Sequence, residues 1–243
     1  MQRSKFIWLF GILFAIIVSN QFVFSQKADD TPQIILEKMA AVYANSSSYQ
    51  DSGFVIDNFR DGSSIAGPSL TFKTYFSRPQ KYRFEWIDQP FLDEVKYRNI
   101  VWNDGQDTYS SYGWDSNKLI QKSSLDLGIS SATGVSRGAA QTISVLLMNE
   151  ISGFRLTQLT KLSLLKQKKF EGVNCFVIRG ERSHSSVDLW IGTNDFLLRK
   201  IRSRNYNLSY NLTYTEEIRR NIKLNEEIPS EIFTSLQSSV RER

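Results

Sequence analysis

The 243-residue sequence has one cysteine, one histidine and five prolines, and each shortage removes a class of explanation. Cys175 has no second cysteine to pair with, so the fold must rest on its hydrophobic core instead of an internal disulfide. His184 alone, without a cysteine pair, excludes zinc sites built on several such ligands. The Gly-x-Ser-x-Gly nucleophile elbow of Ser-His-Asp hydrolases is missing, as are the glycine-rich phosphate loops of the Walker and dinucleotide types. No catalytic residue, metal or other cofactor is therefore expected. The formal charge is only +5, and lysines and arginines alternate with acids and aromatics instead of gathering into a stripe, which excludes a nucleic-acid partner.

Long hydrophobic runs are also scarce. One stands at the start, where Arg3 and Lys5 precede an apolar stretch from Phe6 to Val18 and then polar and small residues up to Ser25. This is the layout of a secretory signal peptide with cleavage after Ser25, which predicts export to a bacterial periplasm. The alternative is an uncleaved anchor in the inner membrane, with Phe22, Val23 and Phe24 extending the apolar helix toward the roughly 20 residues a span needs. Residues 26–243 are expected to form a single domain, and loss of residues 1–25 lowers the formal charge from +5 to +3.

What the mature chain does contain is alternation. Thr31 and Pro32 form an N-cap and first-turn proline, and Ile35, Met39, Val42 and Tyr43 then share one face of an amphipathic helix to about Ala44. Beyond Asn45–Ser48 the period changes to two. Leu70, Phe72, Thr74 and Phe76 alternate with polar neighbours, and Tyr82, Phe84 and Trp86 alternate with Lys81, Arg83 and Glu85. Further strands are predicted over Val95–Trp102 and from Thr108, and later over Leu162–Gln167, Val173–Arg179, Val187–Ile191, Leu197–Arg204 and Leu208–Tyr214. Between the two groups the spacing predicts a loop over Ser123–Gly138 and a second amphipathic helix carrying Ile143, Leu146, Leu147 and Ile151. The result is an α+β, mainly antiparallel fold of about nine to eleven strands and two helices. So many strands twist a sheet into a strong curve, giving an unclosed half-barrel whose helices cover the concave face and leave a cavity.

Two segments carry a family resemblance. Phe76-Ser77-Arg78-Pro79-Gln80-Lys81-Tyr82-Arg83-Phe84-Glu85-Trp86, followed by Asp88-Gln89-Pro90, resembles the strand-turn-strand of periplasmic outer-membrane lipoprotein carriers of the LolA-like superfamily. Ile100 to Gly105 with Tyr109 and Tyr112 is similar to that family's next hairpin. Ser48–Gly53, Phe170–Phe176, Val187–Ile191 and the C-terminal Glu226–Phe233 resemble uncharacterised periplasmic relatives in the same superfamily. The resemblance implies a non-enzymatic carrier of lipid or lipoprotein acyl chains, with an inner-membrane donor and an outer-membrane acceptor protein as partners. It admits, in second place, the alternative of a ligand-sensing domain of the envelope-stress regulator type. It further implies that Arg78 latches a lid helix through backbone carbonyls, the plainer reading being an ordinary turn contact beside Pro79. Phe72, Phe76, Tyr82, Phe84 and Trp86 are the candidate lining of the hydrophobic cavity, and the same alternation also reads as plain core. Cys175, among Val173, Phe176 and Val177, reads as a small buried apolar group, and His184 as a turn residue.

Overall fold

The computed structural model describes residues 30–59, 69–88, 96–115, 118–205 and 212–234. The expected signal peptide, residues 1–25, lies outside the described residues, as do Gln89 and Pro90.

The first element, α1 (Pro32–Ala44), starts where the capping signal places it. Thr31 Oγ1 accepts from the Ile34 N–H at 3.3 Å, and Pro32 occupies the first helical position. Ile35, Leu36, Met39 and Tyr43 are buried. Six strands follow: β1 (Ser48–Phe59), β2 (Leu70–Ser77), β3 (Lys81–Asp88), β4 (Tyr97–Asn103), β5 (Thr108–Ser111) and β6 (Ile120–Lys122). A helical stretch of α2 (Leu125–Val135), α3 (Ala139–Thr142) and α4 (Ser144–Leu147) comes next. Five more strands complete the sheet: β7 (Thr160–Phe170), β8 (Val173–Arg182), β9 (Ser185–Gly192), β10 (Leu198–Asn205) and β11 (Leu212–Leu224).

All eleven strands form one antiparallel sheet in the order β6-β5-β4-β3-β2-β1-β11-β10-β9-β8-β7. Two meanders, β1–β6 and β7–β11, are thus joined side by side through the β1–β11 pair. The sheet is strongly curved and stays open, with β6 and β7 as its edges. Those two edge strands are consecutive in the chain, so the helical stretch connecting them must travel across the whole sheet. It does so over the concave face. Apolar residues from the strands meet α1 to α4 there in one large core that holds Phe76, Tyr82, Val101, Ile129, Leu146 and Leu189.

The helical stretch differs from the sequence expectation. A loop was predicted over Ser123–Gly138, and the structure forms α2 there. Ser124 Oγ caps it by accepting from the Leu127 N–H at 3.1 Å, and its buried face is Leu125, Gly128, Ile129 and Ala132. Two of those four residues are small, which hides the helical period. A Cβ on Gly128 would sit 2.9 Å from Thr108 Cγ2 and 3.1 Å from Val101 Cγ1, so close approach of the helix to β4 and β5 demands glycine. Conversely, the helix expected around Ile143–Ile151 shortens to the single turn of α4.

The opposite, convex face carries a smaller apolar cluster of Cys175, Val177 and Trp190. Lys200 and Arg202 cover the Trp190 ring at 5.0 and 5.5 Å, their stems shielding it from water.

Candidate ligand-binding site

The five aromatic residues proposed from their alternation share one face. Phe72 pairs with Trp86, and Phe76 with Tyr82, across β2 and β3, while Phe84 lies opposite Thr74. Phe72 and Phe84 stack at 5.7 Å, and Phe84 meets Trp86 at 5.4 Å. All five are buried in the core beneath the helices. Tyr82 makes the connection polar as well as apolar: its hydroxyl donates to the Ala140 carbonyl at 3.2 Å and accepts from Ser144 Oγ at 2.9 Å. Burial pushes this phenol well above its ordinary value, so it remains a neutral hydrogen-bonding group.

Arg78 stands in the turn between β2 and β3; its guanidinium lies 5.3 Å from the centre of the Phe76 ring, and its side-chain hydrogen bonds go to backbone carbonyls. Nε donates to Ser46 O at 2.7 Å, and one terminal nitrogen donates to Ala44 O and to Leu147 O, the latter at 2.9 Å. Ala44 ends α1 and Leu147 ends α4, so one cation bridges the C-terminal ends of two covering helices. Unpaired carbonyls collect at helix C-termini, and a cation there offsets their partial negative charge.

A second set of contacts that the sequence did not reveal lies near the middle of the sheet. Arg219 on β11 is almost fully buried and donates to two carboxylates, Asp51 Oδ2 at 2.5 Å and Glu217 Oε1 at 2.6 Å. Its remaining reach goes to the covering layer, where it donates to Ala139 O at 3.0 Å. Glu217 Oε2 in turn accepts from Thr142 Oγ1 at 2.8 Å. Both ends of α3 are thereby bonded to the sheet. Burial alone would weaken the protonated form of Arg219, but the Glu217 and Asp51 charges outweigh it and hold its pKa well above the ordinary value. Tyr49 donates to Asp51 Oδ2 at 2.6 Å, and burial, with Asp51 adding to it, drives the Tyr49 phenol far upward. Gly53 makes this arrangement possible, because a Cβ there would lie 2.3 Å from both the Phe72 ring and Ile218 O.

Beside α3 the covering layer and the sheet separate into a cleft of about 200 Å³. Val55, Leu156, Val187 and Ile201 give it an apolar floor, all four buried. Thr142 and Glu217 contribute polar atoms at one side, and the exposed Arg137 and Arg182 stand at its mouth. Arg137 is committed to Asp57 at 2.6 Å, with Asp88 at 3.5 Å. The cleft therefore opens beside the α3 lid, and the five expected aromatics lie in the packed core further along the same sheet face.

Neither of the sequence's rarest side chains joins these groups. Cys175 is buried in the convex cluster, where burial raises its thiol pKa, and His184 is exposed in the turn between β8 and β9. Among the described residues no group of three or more histidine, cysteine, aspartate or glutamate side chains is placed to hold a metal ion. Nor is any described helix long and apolar enough to cross a membrane.

An open, curved antiparallel sheet with helices across its concave face and a small cleft beneath them defines an unclosed half-barrel. Residues 97–239 match the DUF2092 family, described as predicted periplasmic proteins, and the chain belongs to that family. No curated protein matches it. Solved structures similar to this chain include a LolA superfamily protein from Nitrosomonas europaea, 15% identical, covering 85% of this chain and 98% of that one, with a TM-score of 0.35. LprF from Mycobacterium bovis is 10% identical, with coverage of 82% and 94% and a TM-score of 0.45. The complex of MucA and MucB from Pseudomonas aeruginosa matches at 12% identity over 84% of this chain and 60% of the matched chain, with a TM-score of 0.39. A protein of the LolA superfamily, the resemblance expected from the sequence, is thus among the similar structures, and no residue role passes from any of them to this chain.

Proposed function

We propose that this protein is a periplasmic, non-enzymatic binder and carrier of lipid-like acyl chains, exported by residues 1–25 and loaded beneath its helical lid. The observation that carries the reading is the way the lid is fastened. The covering helices rest on an aromatic sheet face, and their polar ties to the sheet are separate point contacts: Arg78 to α1 and α4, the Leu198 N–H of β10 to Tyr43 of α1, Tyr82 to α3 and α4, Arg219 and Glu217 to α3, and Arg137, just after α2, to Asp57 and Asp88. A layer packed on apolar surface and held by a handful of hydrogen bonds can lift as a unit. The face it uncovers would hold Phe72, Phe76, Tyr82, Phe84 and Trp86 as the lining of an enlarged cavity, with Arg78 acting as the latch. Each methylene moved from water into such a cavity contributes roughly 0.8 kcal/mol, so ten give about 8 kcal/mol before ordering costs. A carrier of this kind requires an inner-membrane donor and an outer-membrane acceptor.

The test is to express the full chain in a bacterial periplasm, purify it without detergent, and combine native mass spectrometry with lipid extraction. A stoichiometric acylated species is expected. Recovery of bare protein that also fails to bind a fluorescent fatty-acid probe would overturn the carrier reading and favour a sensor domain.

A further inference from the structure

We propose that the cleft takes an amphiphile with an anionic head group, a carboxylate or a phosphate ester, and that Arg182 anchors this head at the mouth while the chain lies on the apolar floor. The proposal rests on the acyl-chain reading of the cleft and specifies the ligand's chemistry. Its starting observation is an exception. Among the described residues every other arginine is bonded to a carboxylate or to backbone carbonyls: Arg98 to Glu85, Arg137 to Asp57, Arg179 and Arg204 to Asp188, Arg202 to Glu216, and the remainder likewise. Arg182 alone has neither kind of partner among them.

Its surroundings suit a waiting anion. Arg182 ends β8 and borders the cleft, and its guanidinium lies 4.3 Å from the centre of the Phe154 ring. Stacking occupies the flat face of a guanidinium and leaves its N–H donors, which lie in the plane, free for a carboxylate or phosphate. The ring also restricts the side chain, so less freedom is lost when an anion binds. The carboxylate on the cleft wall, Glu217, is engaged by Arg219 and Thr142, and Glu181, next to Arg182 on β8, by Lys161. From Arg182 on β8 the apolar floor continues across the sheet through Val187 on β9 and Ile201 on β10 to Val55 on β1, a path that an attached chain would follow.

Calorimetry on the full-length protein with decanoate, decyl phosphate and decanol tests the anchor, with acetate and inorganic phosphate as chain-free controls. Both anionic amphiphiles should bind about tenfold more tightly than decanol, as expected for one charge-assisted contact at a partly exposed site. Arg182→Gln should abolish that preference while leaving decanol affinity unchanged, and Arg182→Lys should restore part of it. Equal binding of all three, unaffected by Arg182→Gln, would overturn the anchor and leave the acyl-chain reading intact. Acetate or phosphate binding as tightly as its decyl counterpart would reduce the mouth to a simple anion site and also overturn the proposal. Failure of all three amphiphiles to bind would instead remove the reading of the cleft on which it rests.

Discussion

Arg78→Leu should loosen one part of the molecule and leave the rest intact. Of the carbonyls that Arg78 reaches, those of Ala44 and Ser46 belong to the end of α1 and the turn that feeds β1, where the Arg78 N–H also bonds Ser47 O at 3.0 Å. These contacts are duplicated locally. The bond to Leu147 O is different, because it ties α4 to a turn 69 positions earlier in sequence. The lid-specific share of Arg78 is therefore about one charge-assisted hydrogen bond, worth roughly 1.5 kcal/mol at a partly exposed site, or a factor of about ten in an opening equilibrium. Amide hydrogen exchange reads this directly. The Leu147 N–H bonds Ile143 O and the Met148 N–H bonds Ser144 O, both at 3.0 Å, and these two amides should exchange about tenfold faster in the variant. Amides in β8 and β9 should be unaffected. On the proposed carrier reading an opened lid is the binding-competent state, so apparent affinity for an acyl ligand should rise by a similar factor of about ten. Unchanged exchange at Leu147 and Met148 would refute the latch, and acceleration spread equally over β8 and β9 would show that Arg78 serves global stability instead.

The sheet itself offers three further tests. Gly53→Ala drives a methyl into Phe72 and into the immobile Ile218 carbonyl at 2.3 Å, so calorimetry should show a loss of about 1–3 kcal/mol, or about 2–4 °C in Tm for each, and an unchanged Tm would contradict the close approach. Arg219→Met leaves Asp51 and Glu217 buried without their shared cation and should cost about 3–5 kcal/mol by urea unfolding. The combined Asp51→Leu, Glu217→Leu, Arg219→Met variant should recover most of that loss, and its failure to do so would mean that packing, not uncompensated charge, is responsible. Burial alone would raise Glu85, but Arg83 and Arg98 outweigh it and hold its carboxyl below the usual range. Its stabilisation is therefore present above about pH 4.3 and is lost as pH falls through the lower folded value. Urea midpoints from pH 6 to 3 should consequently drop further for the wild type than for Glu85→Gln, and parallel curves would rule this contribution out.

How far the sequence reveals this molecule depends on the range over which its signals act. Strand pairs joined by short turns are legible, because β2 and β3 alternate cleanly and the Arg78 turn fixes their register, placing Phe72 opposite Trp86 and Phe76 opposite Tyr82. The central pair is not. β1 and β11 meet from opposite ends of the chain, Tyr49 beside Leu224 and Val55 beside Glu217, and their register shifts between Gln50 and Ser52. On β11 the left-handed residue Asn221, at φ 52°, interrupts the alternation near the same place. Arg219 and Arg220 are chemically identical neighbours, and only this register sends one into the core between Asp51 and Glu217 and the other out to Glu171 on the convex side. No local pattern distinguishes them. The cleft inherits the same difficulty, since Val55, Glu217, Ile201, Val187 and Arg182 come from five different strands, each contributing only one or two residues whose inward or outward direction is set by pairing. Arg182 shows the limit most sharply. In sequence it is one polar residue in a turn-like run with Ser183 and His184, and it becomes a candidate anchor only when Phe154 arrives from the helical crossing to lie beneath it.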